Sequence, residues 1–445
     1  MATELDSRQQ YLVRDIARGQ ARFNLLERYV DGDAPLPEGA EGASKAYRRF
    51  QKKARMNIAS LAVAATRERM IIGGFRTGAD GDENGDIQAR RLWKANNLDV
   101  LSADIHDKML TYGECYAIVG PPIVPGGMPV VTVEDPRELE AKHHESDPRL
   151  ITEAAKVFRD DDTGMDFAYF YYPTRIEVYV KPAEGSLFSL DNWVYREDLS
   201  SDNPLGEVPV VKFENLNEKG EFEPYLDLID RINHMILQRL VIVTTQAFKQ
   251  RAIKGDLPQF DMDGNEVDYD GIFQPGPGAL WMLPEGADIW ESQQTDIQGI
   301  ISGVRADIQD FAALTRTPMH YLSPDGANQS AEGAALAREG LVFKAEDRMA
   351  RVTASWSKVM SLLFRWMGDE ERANLLDLEP IWKPAERYSL AERGDANSKF
   401  QDIPFRSRMS LIGQFSPAEI AEMEAERAGE AILTQAMLGG QVAQP

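Results

Sequence analysis

The stretch from Glu223 to Gly368 constrains the fold more than any other part of this chain. Tyr225, Ile229, Ile232, Ile236, Leu240, Val243 and Ala247 step by three or four residues, which makes one continuous apolar seam on a long helix. Pro224 suits its first turn, Lys249, Arg251 and Lys254 suit its C-terminal dipole, and Gly255 can cap it. The spacing predicts a helix over 224–253, roughly 40 Å long at about 1.5 Å per residue. Beyond a Gly/Pro-rich insert, a second seam of Ile297, Ile301, Val304, Ile308 and Phe311 opens with Thr295 and Gln298 at capping-box spacing. In TRTPMHYLSPDGANQS, residues 315–330, Pro318, Pro324 and Gly326 forbid a simple helix. Ser330 then caps a helix of about ten turns that runs to Met367, with a later seam of Met349, Val352, Trp356, Val359 and Leu363 and Gly368 behind it. Long helices with one sticky seam each, joined through loops at both ends, make a poor pocket and a good channel wall.

The first half reads differently. Residues 1–30 suit an amphipathic helix, and DGDAPLPEGAEG (31–42) is a loop by composition. A helix is expected from Ser44 to Met70, basic early (KAYRRFQKKAR) and apolar later, with Gly73-Gly74 as its stop. Two helices should follow an acidic loop: Ile87 to Ala95, and Val100 to Tyr112 with Asp99 as cap. From Glu114 the period changes. Cys115–Val119, Val130–Val133, Phe167–Tyr171, Ile176–Val180 and Val208–Phe213 are β-branched and aromatic runs between turn residues, and they read as strands. Within 256–291, Asp263-Gly264 is a hairpin-type turn, and Ala279–Leu283 and Ala287–Trp290 look like short strands. Ser416-Pro417-Ala418-Glu419 signals a C-terminal helix. The fold class is therefore α+β with a mainly helical second half.

Net charge is -23, so the chain is not the basic surface that duplex DNA normally requires. Either nucleic acid is no partner, or the protein must avoid gripping it. Cys115 is the single cysteine, which rules out an intrachain disulfide and fits a reducing compartment. No apolar h-region opens the chain and no apolar run approaches membrane length, so the expectation is a soluble intracellular protein without a signal peptide.

Motifs for chemistry are scarce. Asp80, Asp82, Asn84, Gly85 and Ile87 match EF-hand loop positions, but Arg91 stands where the bidentate Glu belongs, so a solvated acidic loop capping the Ile87 helix is the better reading. The histidines, His106, His143, His144, His234 and His320, make no metal spacing. His143-His144 reads as surface and His234 as an interhelical hydrogen-bonder. Phosphate-loop, nucleophile-elbow and dinucleotide fingerprints are all absent. Cys115 in an apolar strand reads as buried and inert. No catalytic residue, metal or cofactor is expected. The 315–330 loop, rich in donors and carrying a single acid, reads either as a contact surface or as an ordinary turn packed by Met319 and Leu322.

Several blocks are specific in combination: NIASLAVAATRERMIIGGFR, LWKANNLD, TTQAFKQRAIKG, FQPGPGALWMLPEGADIWESQQTDIQGI, TRTPMHYLSPDGANQSAEGAALAREGLVFKAEDRMAR, IWKPAERYSLAERGDANSK and FSPAEIAEMEAERA. Through them nearly the whole chain resembles the portal proteins of tailed bacteriophages, specifically the SPP1-type Gp6-like family common in phages of actinobacteria. The resemblance implies a homo-oligomeric ring, usually of twelve subunits, at one capsid vertex of the virion, assembled in the host cytoplasm. Double-stranded DNA passes through its channel. Its implied partners are the terminase large subunit, a head–tail adaptor, and the major capsid and scaffold proteins, with no membrane. By position, 1–223 and 331–383 correspond to the wing, 224–253 and 293–315 to the stem helices, 254–292 to the clip, 316–330 to the tunnel loop and 384–445 to the crown. Arg316, His320, Tyr321, Asn328, Gln329 and Ser330 would face DNA. Phe260, Asp263, Phe273, Trp281 and Trp290 would meet the motor and adaptor. The other readings are a different head–tail connector ring protein, or a metal-dependent enzyme of nucleic acid that uses clustered carboxylates.

Overall fold

The computed structural model describes residues 4–37, 45–79, 85–247, 251–255, 259–260, 264, 266–267, 288–291, 296–322, 331–386, 390–415 and 417–440. The chain forms two compact units. One comprises residues 1–35, 57–229 and 309–445, and the other comprises 36–56 and 230–308.

The larger unit is built around two sheets. Helix α1 (Ser7–Val30) starts with a capping box, in which the Asp6 carboxylate accepts from the Gln9 amide and the Gln9 side chain accepts from the Asp6 amide. Strands β4 (Leu139–His144), β5 (Asp147–Asp160), β6 (Met165–Tyr171), β7 (Arg175–Pro182), β8 (Val194–Tyr195) and β9 (Ser201–Asp202) form the larger, antiparallel sheet. Side chains alternate between faces along a strand. Ala155, Val157, Ala168, Phe170 and Tyr179 therefore share one face, where Leu5, Leu12, Val13 and Ile16 from the start of the chain and α1 cover them. Leu139, Ala141, Ala154 and Tyr171 share the other face, against Tyr116 and Ile118 of β2 (Glu114–Gly120) and Val210 of β10 (Val210–Glu214). Strands β10, β2 and β3 (Val130–Glu134) make the second sheet.

The sheets are backed by α3 (Ile58–Arg67), α4 (Ile87–Ala95), α5 (Leu98–Tyr112) and the 36-residue helix α9 (Ala331–Trp366). Trp356 of α9 is the centre of this core. It is fully buried, its ring lies 4.9 Å from Phe213 and 5.3 Å from Trp93, and its indole donates to His106 Nε2 at 3.0 Å. Met349, Val352, Val359 and Leu363 are buried with it, as the seam predicts. Strand β13 (Glu379–Trp382) pairs with β1 (Ile72–Arg76). Helices α10 (Leu390–Lys399), α11 (Phe405–Leu411) and α12 (Pro417–Gly440) follow, with Pro417 opening α12 as expected.

The smaller unit holds α2 (Lys45–Ala54) and the main lengths of α6 (Leu226–Ala247) and α7 (Gln298–Leu314). The last two run antiparallel, as three contacts show. Tyr225 donates its hydroxyl to the Leu314 carbonyl (3.2 Å), Arg231 pairs with Asp307 (2.7 Å), and Met235 lies beside Gly303.

Several expectations are corrected. The helix expected from Ser44 to Met70 is two helices, because Asn57 caps a new one at Ser60 and the Met56 amide is taken by the Asn233 side chain. Gly73 and Gly74 lie inside β1 and stop nothing. The cap of α5 is Asn97 at φ 51; Asp99 sits in the first turn and accepts from the Trp93 indole. Helix α6 ends at Ala247 rather than 253, because Arg251–Lys254 forms strand β11 against β12 (Asp288–Glu291). Asp296 accepts from the Gln298 amide at the start of α7, while Thr295 lies outside the described residues. His234 contacts Gln238 on its own helix, not a neighbouring one. The pair β4–β5 was not expected at all. Residues 87–91 are helical and Asp86 caps them, whereas 80–84 lie outside the described residues. Cys115 is fully buried, and burial pushes its thiol pKa far up, which keeps it a neutral thiol.

Candidate functional site

A buried charged cluster lies at the shared end of the two long helices. Glu221 sits just before the turn that opens α6, with its side chain 3% exposed. Its carboxylate accepts from Arg348 Nε at 2.7 Å and from Asn215 Nδ2 at 3.2 Å, and Lys344 Nζ stands 3.4 Å away. Lys344 also donates to the Thr315 carbonyl at 2.7 Å, at the C-terminal end of α7. A cation there meets the negative end of the helix dipole. Two cations of α9 thus tie together the start of one long helix and the finish of the other. Burial alone would raise the Glu221 pKa, but Lys344 and Arg348 hold it below the ordinary glutamate range. Burial pushes Lys344 the opposite way, toward neutrality. Lys344 and Arg348 together favour the ionised Glu221 carboxylate against its burial.

Arg316 follows directly. The Arg316 amide donates to the Ala313 carbonyl and the Thr317 amide to the Ala312 carbonyl, which is the paired capping of a Schellman turn. That turn places Arg316 at φ 53, in the left-handed region. Glycine normally holds this position, and a bulky residue there is strained. The Arg316 side chain is exposed, while Thr315 and Thr317 on either side are buried. Arg316 lines a cavity of about 430 Å³ with Lys219, Tyr225, Asp347 and Arg351. Asp347 pairs with both Arg348 and Arg351.

Of the residues expected to face DNA, His320 and Tyr321 lie on the short helix α8 (Met319–Leu322), a turn of helix inside the expected loop. Their ring centroids are 4.8 Å apart, with His320 exposed and Tyr321 half-buried. The prolines do bar a long helix, and a single turn fits between them. Asn328, Gln329 and Ser330 lie outside the described residues. Of the expected clip residues, Phe260 is 59% and Trp290 55% exposed. Phe260 bridges to Glu266 across Gly264, which has φ 82, as the expected turn requires. Asp263, Phe273 and Trp281 lie outside the described residues.

Glu221, Lys344 and Arg348 were missed from sequence. One signal was present: Lys344 and Arg348 lie four apart, on the stretch of α9 that buries Leu341, Ala345 and Met349. Charges interleaved with a buried seam need a buried partner. Among the described residues, no group of three His, Cys, Asp or Glu side chains is placed to hold a metal ion, and no helix is long and apolar enough to cross a membrane.

The larger unit thus carries a buried charged cluster, and the smaller one holds the main lengths of two long antiparallel helices and a two-stranded hairpin. Over residues 10–432 the chain matches the family described as "Phage portal protein, SPP1 Gp6-like", and it belongs to that family. Among solved structures it is similar to a chain of the "Neck of empty GTA particle computed with C6 symmetry", at 12% identity and a TM-score of 0.47, covering 87% of this chain and 92% of that one. No curated protein matches.

Proposed function

We propose that this portal protein assembles as a ring, the twelve-membered one its family implies, at one capsid vertex. In that ring α6 and α7 act as the stem lining a channel for double-stranded DNA. The observation that supports this most directly is Arg316. The chain accepts backbone strain at the stem base in order to present an exposed cation where glycine would fit better. Strain retained at an exposed cation beside the stem base is what supports a role for this side chain. Phosphate contact is the natural one, and the surrounding acidity would keep the polymer sliding rather than bound. The 254–292 segment, with exposed Phe260 and Trp290, is the face offered to the packaging motor and later to the head–tail adaptor. Residues 316–330 form the tunnel loop, 1–223 with 331–383 the wing, and 384–445 the crown. The role is structural, and the chemistry of ATP hydrolysis lies elsewhere.

Particle mass and symmetry test the ring directly: mass near twelve times 49.8 kDa, with a central hole, is the expected outcome. For the site, Arg316→Gly should leave stability unchanged or raise it by about 0.5–1 kcal/mol, since it relieves a positive φ. The same variant should package less DNA in a terminase-driven assay. Full packaging by Arg316→Gly rings would remove Arg316 from the channel.

A further inference from the structure

Helix α2 (Lys45–Ala54) carries a feature that the portal reading does not use. Lys45, Arg48, Arg49, Lys52 and Lys53 follow the i, i+3, i+4, i+7, i+8 pattern of one helical face, and all five side chains are exposed. The intervening positions turn inward: Gln51 and Ala54 are buried, and Tyr47 and Phe50 are half-buried. Gln51 donates to the Pro37 carbonyl at 2.7 Å, and just past the helix the Met56 amide donates to the Asn233 side chain of α6 at 2.8 Å. The helix is therefore held from one side, and its basic face is free. From Lys45 to Arg67 there is no acidic residue, in a chain whose net charge is -23. None of the five cations makes an ion pair among the described residues, although neighbouring Arg28 and Arg67 do. Like charges three and four apart repel, so the row weakens the helix that carries it.

We propose that this face of α2 is a second contact for duplex DNA, one that engages the phosphodiester backbone without reading sequence. The row is about 12 Å long, eight residues at about 1.5 Å each. Duplex DNA presents about one charge per 1.7 Å of axis, so such a row meets several phosphates at once. The obvious competitor is an acidic face of another protein, including a second copy of this chain. Stable protein interfaces are centred on buried apolar and aromatic anchors. The exposed row of α2 has none, and a uniform polyanion is the partner that a purely cationic stripe fits. The proposal rests on the reading of this chain as a DNA conduit, because that reading brings the polymer to the protein.

The test uses the full-length protein and a fluorescently labelled 30-base-pair duplex of random sequence, titrated over a range of sodium chloride. Neutralising three to five phosphates predicts a log–log salt slope between about -2.7 and -4.5. The quadruple variant R48Q/R49Q/K52Q/K53Q should bind at least ten-fold more weakly with a correspondingly shallower slope, while R149Q/R196Q, which removes two cations elsewhere, should bind as the parent does. A second measurement needs no variant: duplex DNA should protect Lys45, Lys52 and Lys53 of the parent protein from acetylation. Unchanged affinity and slope in the quadruple variant, or absent lysine protection, would overturn the proposal. So would a variant that keeps its DNA affinity but loses binding to polyglutamate or to its own copies, which would assign the face to a protein. Imaging rings in the same samples separates the two claims: rings without protected lysines remove only the α2 contact, and protected lysines without rings remove only the portal reading.

Discussion

His106 shows how much a single buried residue can set. Its Nε2 accepts from the Trp356 indole, and burial lowers its pKa to about 3, against a smaller opposing pull from the Met70 backbone. The unfolded ring titrates near 6.5. Above that value neither state binds the proton and His106 contributes no pH dependence. Below it the unfolded state takes up a proton that the folded state refuses, so stability falls as pH drops, by about 1.4 kcal/mol per unit down to about pH 3. Urea unfolding between pH 7 and 4.5 should show this loss, and His106→Gln should flatten part of it while keeping an acceptor for the indole. Equal slopes for the two proteins would place the acid sensitivity elsewhere. Sequence alone marked His106 only as lacking a metal spacing, because its partner lies 250 residues away.

At the level of elements, the knot of Glu221, Lys344 and Arg348 is the joint between α9 and the base of α6 and α7. Glu221→Gln keeps the volume but leaves two buried cations without their carboxylate. Breaking a buried pair in this way costs about 3–5 kcal/mol. The urea midpoint should fall accordingly, and a loss under about 1 kcal/mol would show that water reaches the joint. The Glu221 pKa is lowered on folding, so its stabilisation is present above the ordinary glutamate value of 4.5 and disappears as acid protonates it. The apolar seams of α6, α7 and α9 were legible because a helix repeats its buried face every three or four residues. Strands β4 and β5 were not, since Lys142, Glu145, Asp147 and Arg149 mask any alternation. The end of α6 was misread for a related reason: the cations of β11 mimic a helix C-terminus, and only pairing with Asp288–Glu291 reveals a strand. Of the site, Arg316 could be read as a cation between two helices, but the buried Glu221 could not, because its partner Arg348 lies 127 residues away in sequence.

For the whole molecule, the larger unit is interrupted. Residues 57–229 wait for 309–445, and the 230–308 part of the smaller unit is inserted between them. Its closing contacts span most of the chain: Ile72 pairs with Trp382, Trp366 donates to the Val119 carbonyl at 3.0 Å, and Arg69 donates to the Ala385 carbonyl at 2.6 Å. A chain cut after residue 370 should lack the partner of β1 and most of this closure, and thermal melting followed by circular dichroism should show a broad, weakly cooperative loss of structure. A sharp transition at the parent temperature would show that residues beyond 370 are not needed to close the larger unit.

The late arrival of β13 has a consequence in time. During synthesis, the ribosome delivers the first sheet long before the helix and strand that complete its core. For the roughly 170 codons between Glu214 and Trp382, at roughly 5–20 residues per second, the unfinished unit is left open, with apolar surface exposed to chaperones and to other unfinished copies. The larger unit can complete its core only once Glu379–Trp382 has been made, so the order of the chain sets when a copy can first present a finished surface.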